Sequence, residues 1–288
     1  MNISLVIPAR NSGQTIARTL AAIQAGTLQP DELFVIDGCS HDDTPAIARS
    51  YGAQLVINEK RHVAAARQLG LEQARNPVVA YTDSDCLPQR DWLQLIAARF
   101  EADVELAGVG GKVILPEPTT RVQAYSTTVF ESIMRFPDEP FYIQTRGMRG
   151  SFPGANCAFR RDAALRVGGF RDFFSNHAEE IDLLWRLVAA RAKLLFEPAV
   201  VVTHLGYPAT YRKLVRTNFN YGIASTKLAK VHIGPQIDRS LYALLGRSLL
   251  SAARRSGSDE WAAIRSLQVS AFLAGKLYGS VRYGTINL

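Results

Sequence analysis

The 288 residues of the chain suffice for one large domain with a substantial core; 47% are apolar, 20% are charged, and the formal net charge is +7. No apolar run reaches the roughly 18 residues that a membrane-spanning helix needs, and we expect no signal peptide because residues 1–7 lead straight into a strand pattern. Three widely spaced cysteines form no disulfide or metal-binding pattern, so we expect a reduced, cytosolic protein.

The first 85 residues alternate between short apolar runs and amphipathic helical patterns. We predict strands at 3–7, 32–36, 55–57 and 78–81, and helices at 15–25, from Pro45 onward and at 63–74. This alternation is typical of an α/β fold with a mostly parallel sheet and right-handed crossovers.

The pattern loosens after Val113, and we predict shorter elements there. They are a helix at 123–134, an exposed loop at 138–150, a strand at 151–159, helices at 161–167 and 181–190, two short strands within 194–203 separated by Pro198, and helices at 211–228 and 240–283. The fold class is therefore α/β with a helical C-terminal appendage.

Asp83 and Asp85 directly follow the apolar run at 78–81, and we expect Pro88 to open the next helix. Open α/β sheets bind ligands beyond the carboxyl ends of their strands. Carboxylates are hard oxygen ligands that suit Mg²⁺ or Mn²⁺ carrying a diphosphate. The pair therefore predicts a metal–diphosphate site, and two aspartates in a simple turn are the alternative.

The positive charge is concentrated in the C-terminal region. From Gly206 onward the sequence has twelve Lys and Arg against three acidic residues, a net charge of +9, whereas the rest of the chain sums to −2. This asymmetry favours an anionic partner, although a solvated basic face would give the same count. No nucleic-acid-binding module appears, so we expect no nucleic-acid partner.

Several motifs occur in an order that resembles family 2 of the glycosyltransferases and its GT-A fold. They are Leu5 to Asn11, Val35 to Thr44, Ala64 to Gly70, Asp83-Ser84-Asp85, Gly154 to Arg161 with Gly168-Gly169-Phe170, and Glu179 to Leu187. The resemblance covers roughly residues 3 to 225. It implies a donor-binding half at 1–115 and an acceptor half at 116–225 of one GT-A domain, followed by a basic amphipathic region at 226–288.

The resemblance also implies roles for particular residues. Glu180 is the expected general base, with Asp182 the second candidate, and Asp85 with His204 would hold Mn²⁺ or Mg²⁺. Diphosphate contacts are expected from Arg212 and Arg216. Donor contacts are expected from Pro8, Ala9, Arg10, Asn11, Asp37, Arg67, Asp83, Ser84 and Asp85, and acceptor contacts from Gly154, Ala155, Asn156, Glu179 and Arg149.

Three positions depart from the family pattern. Arg10 stands where many members have an aromatic residue that stacks on the base, and Gly38 replaces a second aspartate. Glu180 replaces the aspartate that is usual for the base, which keeps the carboxylate but adds one methylene. These departures bear on the identity of the base and on the assignment of the catalytic carboxylate.

The function implied is inverting transfer of a sugar from a nucleotide-diphosphate donor, UDP-sugar or GDP-sugar, to an acceptor hydroxyl. The acceptor would be a glycan or a lipid-linked molecule of cell-envelope polysaccharide or glycolipid synthesis. A non-catalytic nucleotide-sugar or lipid-binding protein is an alternative. A sugar nucleotidyltransferase is disfavoured because residues 9–13 lack its glycine-rich, lysine-containing loop.

The C-terminal helices have apolar residues at helical spacing beside basic ones, including Leu241, Leu244, Leu245, Leu249 and Leu250. Such a pattern suits peripheral contact with the inner face of the cytoplasmic membrane. It equally suits a homodimer interface or packing against the body of the protein.

Overall fold

A computed structural model of the chain describes residues 1–147, 151–175, 177–253 and 261–288. Contacts divide these residues into two units. The first comprises Met1–Pro116 and Glu131–Gly206, and the second comprises Glu117–Phe130 and Tyr207–Leu288. The functional division at residues 115 and 225 stays a prediction.

The first half of the sheet has the predicted βα alternation. Strands β1 (Ile3–Ala9), β2 (Glu32–Asp37), β3 (Gln54–Ile57) and β4 (Val78–Tyr81) are parallel in the order β3-β2-β1-β4, and are connected by helices α1 (Ile16–Gln24), α2 (Thr44–Ser50) and α3 (Val63–Gln73). Every residue of β1 and β4 is buried. These two strands form the centre of the sheet because their side chains are apolar on both faces.

The second half of the sheet is mixed in direction. Its elements are β5 (Cys86–Pro88), α4 (Trp92–Ala102), β6 (Leu106–Ile114), α5 (Arg121–Met134), β7 (Phe141–Tyr142), β8 (Cys157–Arg160), α6 (Arg161–Arg166), α7 (Glu179–Ala189) and β9 (Lys193–His204). The order continues β4-β8-β6-β9-β5, with β7 paired to β9. Strand β8 is antiparallel to both of its neighbours, while β6 and β9 are parallel. The predicted α/β architecture with a largely parallel sheet is confirmed.

Two proline positions differ from the sequence-based expectation. Pro88 does not open a helix: it ends the edge strand β5, where a residue without an N–H is tolerated, and α4 begins at Trp92. Pro198 does not separate two strands. Strand β9 continues through it with a bulge, because Glu197 pairs with Gly111 and Val201 with Lys112.

Two other segments also differ. The strand expected at 151–159 begins only at Cys157, because Asn156 N–H closes a turn onto the Pro153 carbonyl. The loop expected at 138–150 contains the short strand β7.

The second unit is helical. It contains α8 (Tyr211–Leu228), a π-helical turn (Ala229–Ile233), α9 (Arg239–Ala253) and α10 (Ala262–Tyr283). A Cβ on Gly222 or Gly275 would overlap backbone of the opposite helix, so these glycines let α8 and α10 cross closely. Within the described residues, no helix is both long enough and apolar enough to span a bilayer.

Candidate active site

One edge of the sheet brings together the carboxyl ends of β1 and β4 and the residues that precede β8. Val6 of β1 pairs with Tyr81 of β4, and Tyr81 pairs with Cys157 of the antiparallel β8. Residues 82–85 therefore leave the sheet beside residues 154–156. This is the edge at which open α/β sheets bind ligands.

Arg67 is the buried centre of the site. The small residue Gly70 lets α3 lie close on β1, since a Cβ there would overlap Val6. The Arg67 guanidinium donates to Asp83 Oδ1 at 2.9 Å and to Glu179 at the start of α7. Burial opposes its charge, but Glu179 and Asp83 hold the pKa of Arg67 above its ordinary value. Arg67 thus connects the segment after β4 to the start of α7, and its predicted nucleotide contact stays a prediction.

Glu179 and Glu180 form a pair of carboxyls with raised pKa values. Burial raises the pKa of Glu179 to about 8; the charge of Glu180 adds to the rise and Arg67 opposes it. Burial also raises the pKa of Glu180, whereas the charge of Arg67 and a hydrogen bond with the Glu179 side chain lower it. Burial thus raises the pKa of both carboxyls, while the charge of Arg67 favours the ionised form of each.

Asp182, the second candidate for the base, lies in a different environment. It is completely buried, and Arg171 and Arg186 donate to its carboxylate, with Arg171 Nε at 2.9 Å and Arg186 Nη2 at 2.8 Å from Oδ2. Arg186 also donates to the carbonyls of Val167 and Gly169. These contacts fix the turn after α6 against α7, so the geometry favours a structural role for Asp182.

Gly154 and Asn156 have packing roles that the sequence did not reveal. A Cβ on Gly154 would overlap the guanidinium of Arg67, so this glycine makes room for the buried arginine. The Asn156 amide donates to the carbonyls of Lys112 at 2.7 Å and Val200 at 2.9 Å and accepts from the indole N–H of Trp92. Its side chain thereby joins three elements, and Ala155 beside it is buried.

A group of candidate metal ligands lies next to Arg67. One ligand atom from each of Asp83, Asp85, Cys86 and His204 lies within 4.8 Å of the others. The antiparallel pairing of β5 with β9 sets Cys86 opposite His204, which brings the imidazole Nε2 to 3.7 Å from Asp85 Oδ1. The predicted Asp85–His204 pair is therefore brought together by the fold.

The donor chemistry of this group fits a divalent cation. Carboxylate oxygens and an imidazole nitrogen suit such a cation, and burial raises the pKa of the neighbouring Cys86 thiol well above its ordinary value. The Gly206 N–H donates to His204 Nδ1 at 3.1 Å. A cation held through Nε2 would require the tautomer with its proton on Nδ1, which cannot accept this hydrogen bond.

Gly206 also borders Asp85, a contact that no sequence motif signals. A Cβ on Gly206 would overlap the Asp85 carboxylate, and the Leu205 N–H donates to the Asp85 carbonyl at 2.8 Å. The segment after β9 thus packs directly against the predicted metal ligand.

The predicted donor loop is held by side-chain hydrogen bonds. Asn11 has a left-handed backbone and accepts from His41 N–H at 2.9 Å, while Ser12 Oγ lies 2.8 Å from Ser84 Oγ. Asp37 is buried and accepts from the Ser40 N–H.

Arg10 is exposed beside Gly38, whose missing side chain leaves room for the aliphatic part of Arg10. Pro8 and Ala9 are buried at the end of β1.

The remaining predicted residues lie elsewhere. Arg212 and Arg216 belong to the second unit, where both are exposed about one helical turn apart on α8. Arg149 lies outside the described residues. Their predicted diphosphate and acceptor contacts stay predictions.

Among curated proteins, the chain is similar to glycosyltransferases. It is 28% identical over 238 residues to the pre-mycofactocin glycosyltransferase of Mycobacterium tuberculosis, covering 80% of this chain and 48% of the relative. It is 26% identical over 235 residues to glycosyltransferase AglE of Haloferax volcanii, covering 76% of this chain and 71% of the relative. The chain thus spans about half the length of the mycobacterial relative.

Solved structures share its fold at low sequence identity. The mannosyltransferase PcManGT from Pyrobaculum calidifontis, in complex with GDP-Man and Mn²⁺, is 17% identical, covers 96% of this chain and 86% of its own, and has a TM-score of 0.63. Glucosyl-3-phosphoglycerate synthase from Mycobacterium tuberculosis, in complex with Mn²⁺, UDP and glucosyl-3-phosphoglycerate, is 19% identical and has a TM-score of 0.58. The match covers 80% of this chain and 79% of the synthase chain. These likenesses confirm the predicted GT-A fold.

The sequence profile described as glycosyl transferase family 2 matches residues 4–168, which is more than half of the chain. The protein belongs to this family.

Proposed function

We propose that the protein is a metal-dependent, inverting glycosyltransferase that uses a nucleotide-diphosphate sugar. The observation that carries this proposal is the convergence of Asp83, Asp85 and His204 with the buried Arg67 and the Glu179–Glu180 pair at one sheet edge. This arrangement suits a reaction in which a cation neutralises negative charge on the donor while a carboxylate accepts a proton from the acceptor.

The donor side uses Asp83, Asp85 and the loop after β1. Asp85 and His204 would hold Mn²⁺ or Mg²⁺, which when bound neutralises charge on the donor's diphosphate. Arg67 fixes Asp83, which faces the ribose or base in this proposal. Arg10 would lie on the base through its planar guanidinium.

Glu180 is the proposed general base. The acceptor hydroxyl loses its proton to the Glu180 carboxylate as its oxygen forms a bond to the anomeric carbon, and the bond to the nucleoside diphosphate breaks with its electron pair leaving on the phosphate oxygen. A single displacement of this kind inverts the anomeric centre. Asp182 is less suited to the role because two guanidiniums occupy its carboxylate.

For the donor we propose a UDP-sugar first and a GDP-sugar second, since the similar structures hold UDP in one case and GDP-Man in the other. For the acceptor we propose a hydroxyl of a glycan or lipid-linked molecule of the cell envelope. A relative that supports this class is the glucosyl-dolichyl phosphate glucuronosyltransferase of Haloferax volcanii, 24% identical over 162 residues. Three free cysteines favour a reducing, cytoplasmic compartment.

Titration calorimetry with UDP, GDP and their sugar conjugates, with and without Mn²⁺, tests the donor site. We expect Mn²⁺-dependent binding of one nucleotide that Asp85→Asn abolishes and that the exposed control Asp91→Asn leaves intact. Absence of nucleotide binding under every condition would refute the donor site. Tight binding without sugar transfer or donor hydrolysis would instead favour the non-catalytic alternative.

A further inference from the structure

Exposed apolar side chains are concentrated in the second unit. Of the nineteen large apolar residues that are exposed among the described residues, thirteen lie in this unit, although it is the smaller of the two. Most of them are on α9, on α10 or in the segments next to these helices. Such a concentration of exposed apolar side chains favours an interaction site in this unit.

Helix α9 has apolar residues on both of its sides. Its inner side is at least partly covered, with Ser248 fully buried at its centre. Its outer side exposes Tyr242, Leu249 and Leu250, which are 45%, 52% and 58% accessible. Among the described residues, these three apolar side chains of α9 therefore lack a cover.

Helix α10 exposes a second, uncharged stripe. Its outer positions follow alternating four- and three-residue spacing along five turns and consist of Ala263, Leu267, Ser270, Ala274, Leu277 and Val281. Tyr278 lies beside this stripe and is also exposed, and Val281 is 80% accessible. The opposite side of α10 packs on α8 through Gly275 and Gly279.

The charges on the two helices identify the kind of partner. Helices α9 and α10 contain five Lys and Arg and no Asp or Glu. Arg239, Arg247 and Arg282 are exposed. A second copy of the same surface would bring like charges together, whereas an anionic lipid surface complements them.

We infer that the outer sides of α9 and α10 dock on an anionic lipid bilayer, with the leucines, tyrosines and Val281 entering the headgroup–acyl boundary and the arginines contacting lipid phosphates. This contact would hold the enzyme at the surface where a lipid-linked acceptor resides. That last step rests on the proposed function, but the lipid contact itself does not.

Flotation of the full chain with vesicles tests the inference, with no donor or metal added. We expect binding to vesicles containing phosphatidylglycerol and little binding to phosphatidylcholine alone. Arg239→Gln with Arg247→Gln should lower the partition coefficient about five-fold for each charge removed. Leu249→Gln with Leu250→Gln should lower it about ten-fold or more.

Val281→Gln has a matched control in Val104→Gln, because both valines are exposed to the same degree, 80% and 78%, and Val104 lies in the first unit. We expect only the Val281 variant to lose binding, with unchanged circular dichroism in both.

Absence of vesicle binding, equal binding to neutral vesicles, or equal effects of the two valine variants would overturn the inference. A concentration-dependent dimer that Val281→Gln dissociates, without vesicle binding, would overturn it in favour of a second copy. Nucleotide titration of the same variants separates a failure here from a failure of the donor site.

Discussion

The catalytic proposal depends on the protonation of one glutamate. Burial and the charge of Asp83 raise the pKa of Glu180, although Arg67 opposes the shift. A base acts in its ionised form, so activity must rise with pH through this raised pKa. The acid limb of kcat/KM is therefore expected at higher pH than the ordinary glutamate value of 4.5.

Glu180→Gln tests this assignment. We expect kcat to fall by about 10²- to 10⁴-fold and the acid limb to disappear, because the amide cannot accept the proton. Nucleotide binding should be retained. Asp182→Asn serves as the comparison: it should lower stability by breaking two ion pairs but keep the acid limb. A Glu180→Gln enzyme with an unchanged acid limb would exclude Glu180 as the base.

Arg67 is expected to control stability as well as geometry. Arg67→Met removes the cation between Asp83 and Glu179, and where Glu179 is ionised the loss of its buried partner costs about 3–5 kcal/mol of the free energy of unfolding. Glu179 has a folded pKa of about 8 against an ordinary 4.5, so its contribution to stability is complete below pH 4.5 and is lost as pH rises through 8. Removing Arg67 raises that pKa further.

The loss in Arg67→Met should therefore be larger at pH 9 than at pH 6, as measured by urea unfolding. Adding Glu179→Gln should remove most of the extra loss at high pH, because the amide has no proton to release. A loss that does not depend on pH would show that Arg67 acts only through packing.

At the scale of elements, the segment after β9 positions the metal ligand. Gly206→Ala should push the Asp85 carboxylate aside and weaken Mn²⁺-dependent nucleotide binding by about ten- to a hundred-fold. Gly246 is a suitable control because it lies within α9 with open space around it. Gly246→Ala should leave binding unchanged and raise stability by about 0.5–1 kcal/mol, as seen by calorimetry and urea unfolding. Equal binding by both variants would contradict the close packing of Gly206 on Asp85.

Local pattern was enough to predict the elements that lie in sequence order. Strands β1 to β4 and helices α1 to α3 follow the apolar periodicity, so their existence and parallel direction could be predicted, although β1 continues through Pro8 to Ala9. Strand β8 could not be placed in the same way. Its neighbours β4 and β6 lie far upstream, and nothing in Cys157–Arg160 itself signals which strands it joins.

The candidate site likewise contains residues that could be predicted from the sequence and contacts that could not. Asp83, Asp85 and His204 could be proposed because the resemblance to the family assigns each of them a role. The contact of Arg67 with Glu179 joins residues 112 positions apart. The need for glycine at positions 154 and 206 depends on side chains that arrive from other elements. Such contacts are set by tertiary packing, which residue spacing does not encode.

At the scale of the whole molecule, charge and function separate along the chain. The region from Gly206 onward carries a net charge of +9 and forms most of the helical unit, while the remainder carries −2 and holds the candidate active site. The carboxylates of the site need a cation, whereas the basic helices need an anionic surface. Apart from the diphosphate contacts predicted for Arg212 and Arg216, the two units are thus expected to bind different ligands independently.

Hydrogen exchange of the full chain tests that independence. Mn²⁺ with UDP or GDP, whichever binds, stabilises only the folded form, by about 2.7 kcal/mol at a ligand concentration a hundred times Kd. Protection should increase at the carboxyl ends of β1 and β4 and at the start of α7, because these segments carry Asn11, Asp85 and Glu180. Amides of α9 should exchange at unchanged rates, and EDTA should reverse the protection. Protection that appears only in α9 and α10 would place the nucleotide in the wrong unit and would refute the site proposed at the sheet edge.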